Sequence, residues 1–379
     1  MLHLPTKQYA ASASRMELHW GVAGSLLTFC LAALLQRRVS DMLFDDAFIH
    51  LRVARNLEVH GAAVFNIGER VMTTSSPLWT VVLALLGIGT HRWILPYFEA
   101  GLLTTCGVLA YLLSRKLLPD STEKTKPAPE AVHRATLKSV LLAGIAGILT
   151  MLIVLPSSIG QMETPLAAAL LLGATVSFAH GSSLGLPLLA LGACTRLELL
   201  PLLLVAGVTA ARNRVSRPSA AVAAGLVLSM LTAVYAQLGV VLPNSMRAKA
   251  IGYAYHRTDI IHQLFEARFL EVPLSCCLAL FCGAVFADQL LARGRCKQTL
   301  SMSMGIPLRS GLWGVLAMSE YVVRGTPIFE WYRPVFLLPV LICLLMYRTT
   351  AVSPWWLPPF LEVTRFAGIS LLLKSVIHC

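Results

Sequence analysis

WGVAGSLLTFCLAALL, residues Trp20–Leu35, is the first of about twelve apolar blocks in this chain. Hydrophobic residues make up 56% of its 379 residues, and the mean hydropathy is +0.70. Soluble proteins have about 45–50% apolar residues, and the core helices of one soluble domain do not account for so many blocks. Several blocks are shorter than the ~20 residues of a straight span, which favours half-helices, tilted helices or protein-buried segments. The sequence therefore predicts an all-α polytopic membrane protein with about 10–12 hydrophobic helices.

The basic residues predict the topology of these helices. A net charge of +12 could indicate a nucleic-acid partner, but Lys and Arg lie in short runs between apolar blocks. That pattern is typical of the positive-inside rule, so we expect a lipid bilayer and no nucleic acid as the partner. We predict a cytoplasmic segment at residues 1–18 and one transmembrane domain at 19–379. The expected loops are a first outer loop at 44–76, a cytoplasmic linker at 114–138 and an outer loop at 242–271.

One conflict arises within this topology. Two full crossings between residues 76 and 115 would place the basic linker outside, against the charge rule. Either the apolar block Leu78–Gly89 does not cross fully, or the rule fails at this point. The sequence leaves both alternatives open.

Two adjacent acids, Asp45 and Asp46, follow the first apolar block in a chain with only 13% charged residues. Each would cost roughly 2.5–3.5 kcal/mol at the centre of a membrane helix, so we expect them at a membrane surface or in a wet cavity. Apolar residues then recur at helical spacing, at Phe48, Leu51, Ala54 and Leu57. This spacing predicts an amphipathic helix in the first outer loop, either a platform for the acids or a simple surface helix.

Asp45–Leu86, DDAFIHLRVARNLEVHGAAVFNIGERVMTTSSPLWTVVLALL, resembles the first outer loop of GT-C glycosyltransferases. The bacterial branch of terminal arabinofuranosyltransferases is the most similar. Later segments fit the same family in the expected order: GQMETPL at Gly160–Leu166, TRLE at Thr195–Glu198 and LPNSMRAK at Leu242–Lys249. Leu197 replaces the usual proline of the second segment, and Tyr332-Arg333-Pro334 matches a late segment with the order of Arg and Tyr changed.

The resemblance implies a GT-C type helix bundle in the bacterial inner (plasma) membrane, with its active site facing the periplasm or the exterior. Such an enzyme transfers a sugar, arabinofuranose or a hexose such as mannose, from a polyprenyl-phosphate donor. The acceptor is an outer-face glycan, lipid or protein, and the transfer inverts the sugar. The reaction needs a base on the acceptor hydroxyl and stabilisation of the departing phosphate.

The resemblance also implies roles for the acids. The first acid of the loop pair, Asp45, would be the general base, and Asp46 would orient the acceptor or help to bind a metal. The resemblance leaves open whether a cofactor is used. A divalent cation (Mg, Mn or Ca) at Asp45 or Asp46 is one alternative, although an acid pair alone does not establish a metal site. Asp46 could instead be the N-cap of a helix at Ala47–His60.

Glu163 is the third candidate catalytic residue, and it could line the cavity, bind the acceptor or cap a helix starting at Pro165. Arg196 and Glu198 could contact substrate or form an ion pair that holds two short helices. Cations suited to the donor phosphate, or to anchoring at the membrane surface, are Arg247, Lys249, Arg333, Arg52 and Arg55. The substrate cavity is predicted to include Asn244, Arg196, Glu198 and Tyr332.

Two other functions fit parts of this pattern. A secondary transporter or flippase of lipid-linked substrates could bind protons or ions at Asp45 and Asp46. Transporters usually show paired repeats and acids near the midplane, whereas here the acids lie in a loop and no repeat is evident. The third alternative is a non-catalytic membrane scaffold.

Overall fold

The computed structural model describes residues 6–41, 43–117, 129–211 and 215–240, together with Leu338. Throughout these residues the regular structure is helical, without strands. The helices are α1 (Thr6–Arg38), α2 (Asp45–His60), α3 (Pro77–Leu85), α4 (Leu95–Leu117), α5 (Pro129–Ile159), α6 (Thr164–Ala179), α7 (Gly185–Thr195), α8 (Leu200–Ala211) and α9 (Arg217–Leu238). Short 3₁₀ turns at Arg92–Ile94 and Leu197–Leu199 precede α4 and α8. The all-α class is therefore confirmed for the described part of the chain.

Two of these helices are long and apolar enough to cross a membrane, by length and composition. They are Arg92–Lys116 and Arg217–Leu238. The apolar helices α6, α7 and α8 are shorter, with 16, 11 and 12 residues. At 1.5 Å per residue, the latter two are roughly 17–18 Å long, less than the ~30 Å hydrocarbon core of a bilayer.

The helix α4 lies at the centre of the packing, where it contacts α1, α5 and α6. Its buried side chains include Leu95, Leu103 and Leu113. Against α5 the backbones approach closely, because a Cβ at Gly147 would lie 2.9 Å from the carbonyl oxygen of Gly107. Small residues at such a contact let two helices gain dispersion contacts along their length, which is the usual packing of apolar helices.

The predicted amphipathic helix of the first outer loop is present as α2, and it holds the turn that follows α3. The Glu58 carboxylate accepts hydrogen bonds from the backbone N–H groups of Gly89, at 2.6 Å, and Thr90, at 3.0 Å. On α3, Trp79 is fully buried and stacks on Phe98 of α4, with ring centroids 5.7 Å apart. Side chains on α2, α3 and α4 thus form one packed unit.

The length of α3 bears on the topology conflict. This helix has nine residues, so it is about 14 Å long at 1.5 Å per residue. Soon after its end, Gly87 adopts a left-handed backbone conformation, φ 67°, that glycine favours, and the chain turns into α4. A straight helix of this length is too short for a bilayer core of ~30 Å.

Candidate functional site

Phe44 joins the start of α2 to the turn after α5. Its backbone N–H donates to the carbonyl oxygen of Gly160 at 3.3 Å. Its ring lies so close to Gly160 that a Cβ at that position would overlap the ring. The first turn of α2 is therefore held beside the connection between α5 and α6, although more than a hundred residues separate the two segments.

Asp45 and Asp46 lie in the first turn of α2. The helix begins at Asp45, and Phe44, with an extended backbone, is its N-cap residue. The suggestion that Asp46 caps a helix beginning at Ala47 is therefore wrong by two residues. Both carboxylates are favourably placed for the positive end of the helix dipole. Asp45 is exposed and Asp46 is half-buried, so the first acid is the one open to a reactant.

Glu163 is buried and its two carboxylate oxygens face two different partners. Arg196 donates from Nη1 to Oε1, and the Nε2 atom of His50 lies 3.3 Å from Oε2. Burial by itself raises the pKa of the Glu163 carboxyl, but the Arg196 guanidinium and the His50 ring outweigh burial and hold that pKa below its usual range. Glu163 is therefore a buried carboxylate that accepts from Arg196 at Oε1, whereas Oε2 has the His50 ring at ion-pair distance and no hydrogen-bond partner among the described residues.

The helix α6 begins at Thr164, one residue before the predicted start at Pro165. Glu163 is the N-cap residue by position, but its side chain makes no cap hydrogen bond and pairs with Arg196 instead. The capping role considered for this side chain is thus wrong. Only its carbonyl oxygen serves the helix, by accepting from the N–H of Ala167 at 3.1 Å.

Arg196 and Glu198 form the ion pair that the sequence left as an alternative to substrate contact. Arg196 donates from Nη2 to Oε1 of Glu198 at 3.1 Å, between the end of α7 and the start of α8. Because Arg196 is buried and also binds Glu163, it links three helical segments. Glu198 is half-buried.

A hydrogen-bonded segment, Thr73–Ser76 (the TTSS segment), lies beside this ion-pair cluster. The Thr74 hydroxyl is 2.8 Å from Nδ1 of His50 and accepts from the backbone N–H of Ser76 at 3.1 Å. The Ser76 hydroxyl donates to the carbonyl oxygen of Thr195 at 2.6 Å. The side chains of His50, Thr74 and Ser76 are buried.

A second buried polar group lies next to the first. The Ser158 hydroxyl accepts from Gln36 at 2.6 Å and lies 3.3 Å from Oε2 of Glu99. Glu99 on α4 is fully buried, and its Oε1 atom has no hydrogen-bond partner among the described residues. Nearby, Gln161 has a left-handed backbone, φ 57°, and its amide donates to the carbonyl oxygen of Ser40 at 3.3 Å.

His50, Thr74, Ser76 and Glu99 were not among the residues predicted from the sequence. A signal existed for Glu99, since a single acid inside the apolar block Trp93–Leu113 carries the same cost that singled out Asp45. His50 and the two hydroxyl residues had no such signal, because their partners are far away in the sequence.

The predicted phosphate-binding cations are placed as follows. Arg52 donates to the carbonyl oxygen of Phe65 at 2.9 Å and to Oδ1 of Asn66 at 3.0 Å, and its guanidinium lies 4.4 Å from the centre of the Phe65 ring. Arg55 is exposed on α2. The remaining predicted residues, Asn244, Arg247, Lys249, Tyr332 and Arg333, and the outer loop 242–271, lie outside the described residues.

Within the described ranges, no group of three or more His, Cys, Asp and Glu side chains is arranged to hold a metal ion. No protein-family model, curated protein or solved structure matches this chain. The resemblance to GT-C enzymes therefore rests on the sequence segments, and the chemistry of the site on its own residues.

Proposed function

We propose that this protein is a GT-C type membrane glycosyltransferase. It transfers arabinofuranose, or a hexose such as mannose, from a polyprenyl phosphate to an outer-face glycan, lipid or protein acceptor. The protein would be a multi-pass component of a bacterial inner membrane, with its site on the outer side.

One observation carries this proposal. The segments that resemble the family, Asp45–Leu86, Gly160–Leu166 and Thr195–Glu198, are distant in sequence but meet at one place. His50 comes from the first segment, Glu163 from the second and Arg196 from the third. Segments that matched a family by chance would have no reason to contact one another, so their convergence supports a common site.

The exposed acid then has a defined task. The Asp45 carboxylate accepts the proton of the acceptor hydroxyl while the oxygen of that hydroxyl forms a bond to the anomeric carbon of the donor sugar. The bond from that carbon to the phosphate oxygen breaks on the opposite face, so the configuration inverts. The departing polyprenyl phosphate keeps the electron pair and requires cations, for which Arg247 and Lys249 are proposed.

The proposed topology places every segment of the site on one face. If α3 returns to the side from which it enters, only α4 crosses between residue 76 and residue 115, and the basic linker is cytoplasmic. The first turn of α2, the turn at Gly160 and the turn at Arg196 then all lie outside. This agrees with an acceptor and a donor that are used at the outer surface.

Replacing Asp45 by Asn tests the proposed reaction. We expect Asp45→Asn to abolish sugar transfer, because the amide cannot accept the acceptor proton, while the stability falls by at most about 1 kcal/mol, because the exposed side chain loses only its interaction with the helix dipole. Transfer is measured with purified full-length protein, radiolabelled polyprenyl-phosphate arabinofuranose or mannose, and cell-envelope acceptors. Addition of EDTA to the same assay tests a requirement for Mg, Mn or Ca.

Asp41→Asn is the matched control, because Asp41 is also exposed and lies in the turn before α2. It should keep wild-type transfer. Full activity in Asp45→Asn, or equal loss in both variants, would contradict Asp45 as the base.

Glu99 supports a second candidate, a proton-coupled transporter. It is a fully buried acid on a helix that is long and apolar enough to span a membrane. Such acids commonly belong to ion or proton pathways. Proton-coupled uptake by reconstituted vesicles that is lost in Glu99→Gln, without sugar transfer, would favour the transporter over the glycosyltransferase.

A further inference from the structure

Both partners of Glu163 are themselves held by the TTSS segment. Thr74 contacts His50, which faces one carboxylate oxygen, and Ser76 contacts the residue before Arg196, which faces the other. We propose that the TTSS segment, with His50, positions Glu163 and the first turn of α2, and thereby fixes the location of Asp45. The inference rests on the proposed function, because it assigns positioning residues to that same site.

The contacts around His50 fit one tautomer of the ring. An ionised Glu163 can only accept, so the tautomer with its proton on Nε2 suits the 3.3 Å contact with Oε2, an atom that has no hydrogen-bond partner among the described residues. In the neutral ring Nδ1 must then accept, and the Thr74 hydroxyl is its donor at 2.8 Å. Thr74 Oγ1 meanwhile accepts from the backbone N–H of Ser76 at 3.1 Å. Thr74 therefore fixes the tautomer and the orientation of the ring, as a second partner does for histidine in many sites.

Ser76 acts on Arg196 through the backbone. Thr195 is the last residue of α7, and the final carbonyl groups of a helix lack donors from their own helix. The Ser76 hydroxyl supplies a donor to the carbonyl oxygen of Thr195. Arg196 then leaves the helix with an extended backbone, φ −138° and ψ 112°, and its side chain reaches Glu163.

His50 connects this network to the acids of α2. It lies four residues after Asp46, so the two side chains share one face of the helix. A rotation of α2 about its axis that moved Asp45 and Asp46 would therefore also break the contact between His50 and Glu163. The turn after α5 adds a second attachment, through Phe44 and Gly160. The position of Asp45 relative to a bound acceptor thus depends on where His50 is held.

Two substitutions of His50 separate its two contacts. The amide of His50→Gln can occupy the place of Nε2 and keep the contact with Glu163, whereas the amide of His50→Asn occupies the place of Nδ1 and loses that contact. We expect His50→Asn to lower kcat on the order of 10- to 100-fold with little change in KM, as misplacement of a reacting group does. His50→Gln should retain most of the activity.

Thr74 gives an independent pair. Thr74→Val removes the hydroxyl at nearly constant shape, whereas Thr74→Ser keeps it, so transfer should fall in the first variant and be rescued in the second. Hydrogen–deuterium exchange of peptides covering Phe44–His60 reports the order of α2 without any substrate. Exchange in the first turn should become faster in His50→Asn and Thr74→Val only.

The inference and the proposed function fail in different ways. Equal kcat in His50→Asn and His50→Gln would overturn the positioning role. So would losses of sugar transfer that are fully explained by a lower melting temperature of the variants. In both cases transfer by the wild-type protein would leave the proposed function standing. If the wild-type protein transfers no sugar, the proposed function fails, and unchanged exchange of α2 in His50→Asn would then overturn the inference as well.

Discussion

At the scale of single residues, Glu163 differs most from its expected role. The sequence suggested that this acid lines a cavity or binds the acceptor, whereas in the structure both of its oxygens face protein side chains in a buried place. A buried carboxylate that is paired in this way acts mainly by holding its partners in position. Asp45, which is exposed, is the acid with access to a reactant.

Replacing Glu163 by Gln should therefore destabilise the fold strongly. We expect Glu163→Gln to lower the free energy of unfolding by about 3–5 kcal/mol, because it leaves a buried guanidinium with one partner fewer. The matched control is Glu198→Gln, which removes the other, partly exposed partner of Arg196 and should cost at most about 1 kcal/mol. Similar losses in the two variants would contradict this ranking. Both are measured by chemical unfolding in the same detergent.

Comparison of wild type with Glu163→Gln also tests a dependence on pH. The pKa of Glu163 is lower in the folded protein than in the unfolded chain, so its stabilisation is complete above the unfolded pKa of about 4.3 and is lost as the pH falls towards the folded pKa. We expect the difference in stability between wild type and Glu163→Gln to shrink between about pH 5 and pH 3. A constant difference over that range would mean that the ionised carboxylate is not the stabilising species.

At the scale of helices and turns, the contact between Phe44 and Gly160 leads to a further prediction. A methyl group in Gly160→Ala would overlap the Phe44 ring, so the variant should unfold at a lower temperature and transfer less sugar. The double variant Phe44→Ala/Gly160→Ala should lose less stability than the sum of the losses in the two single variants, because Phe44→Ala removes the ring that the added methyl group would overlap. Gly144→Ala on α5 is the control, since nothing lies within 4 Å of the added Cβ. Strict additivity would mean that the two residues are not coupled.

The helices also show what the sequence could and could not predict. Helical spacing predicted α2, and long apolar blocks predicted α4, α5 and α9, because these signals are local. The early end of α3 was not predicted, since Leu86 and Ile88 continue the apolar composition beyond the helix. Asp45 and Asp46 were singled out by their cost in an apolar chain and Glu163 by the resemblance of its segment, whereas the acid Glu99 was missed. His50 and Thr74 have a role only through contacts with distant segments.

At the scale of the whole molecule, the proposed topology can be tested with reporter fusions. Alkaline phosphatase fused after Gly68 should be active, because the proposed topology exports the first outer loop, and the same fusion after Pro127 should be inactive. Green fluorescent protein at the two positions should give the reverse pattern. Equal phosphatase activity at both positions would mean that no net crossing occurs between them, and the proposed role of α4 as a span would be lost.

A short α3 also has a consequence for how this protein could change during evolution. A helix that crosses reverses the orientation of everything that follows it, so gain or loss of one such helix would turn the later loops to the wrong side. A segment that leaves the bilayer on the side from which it enters has no such effect. Under the proposed topology, Pro77–Leu85 could therefore vary in length, or be replaced, without inverting the segments after it. Its freedom is limited instead by Trp79, which is buried against α4.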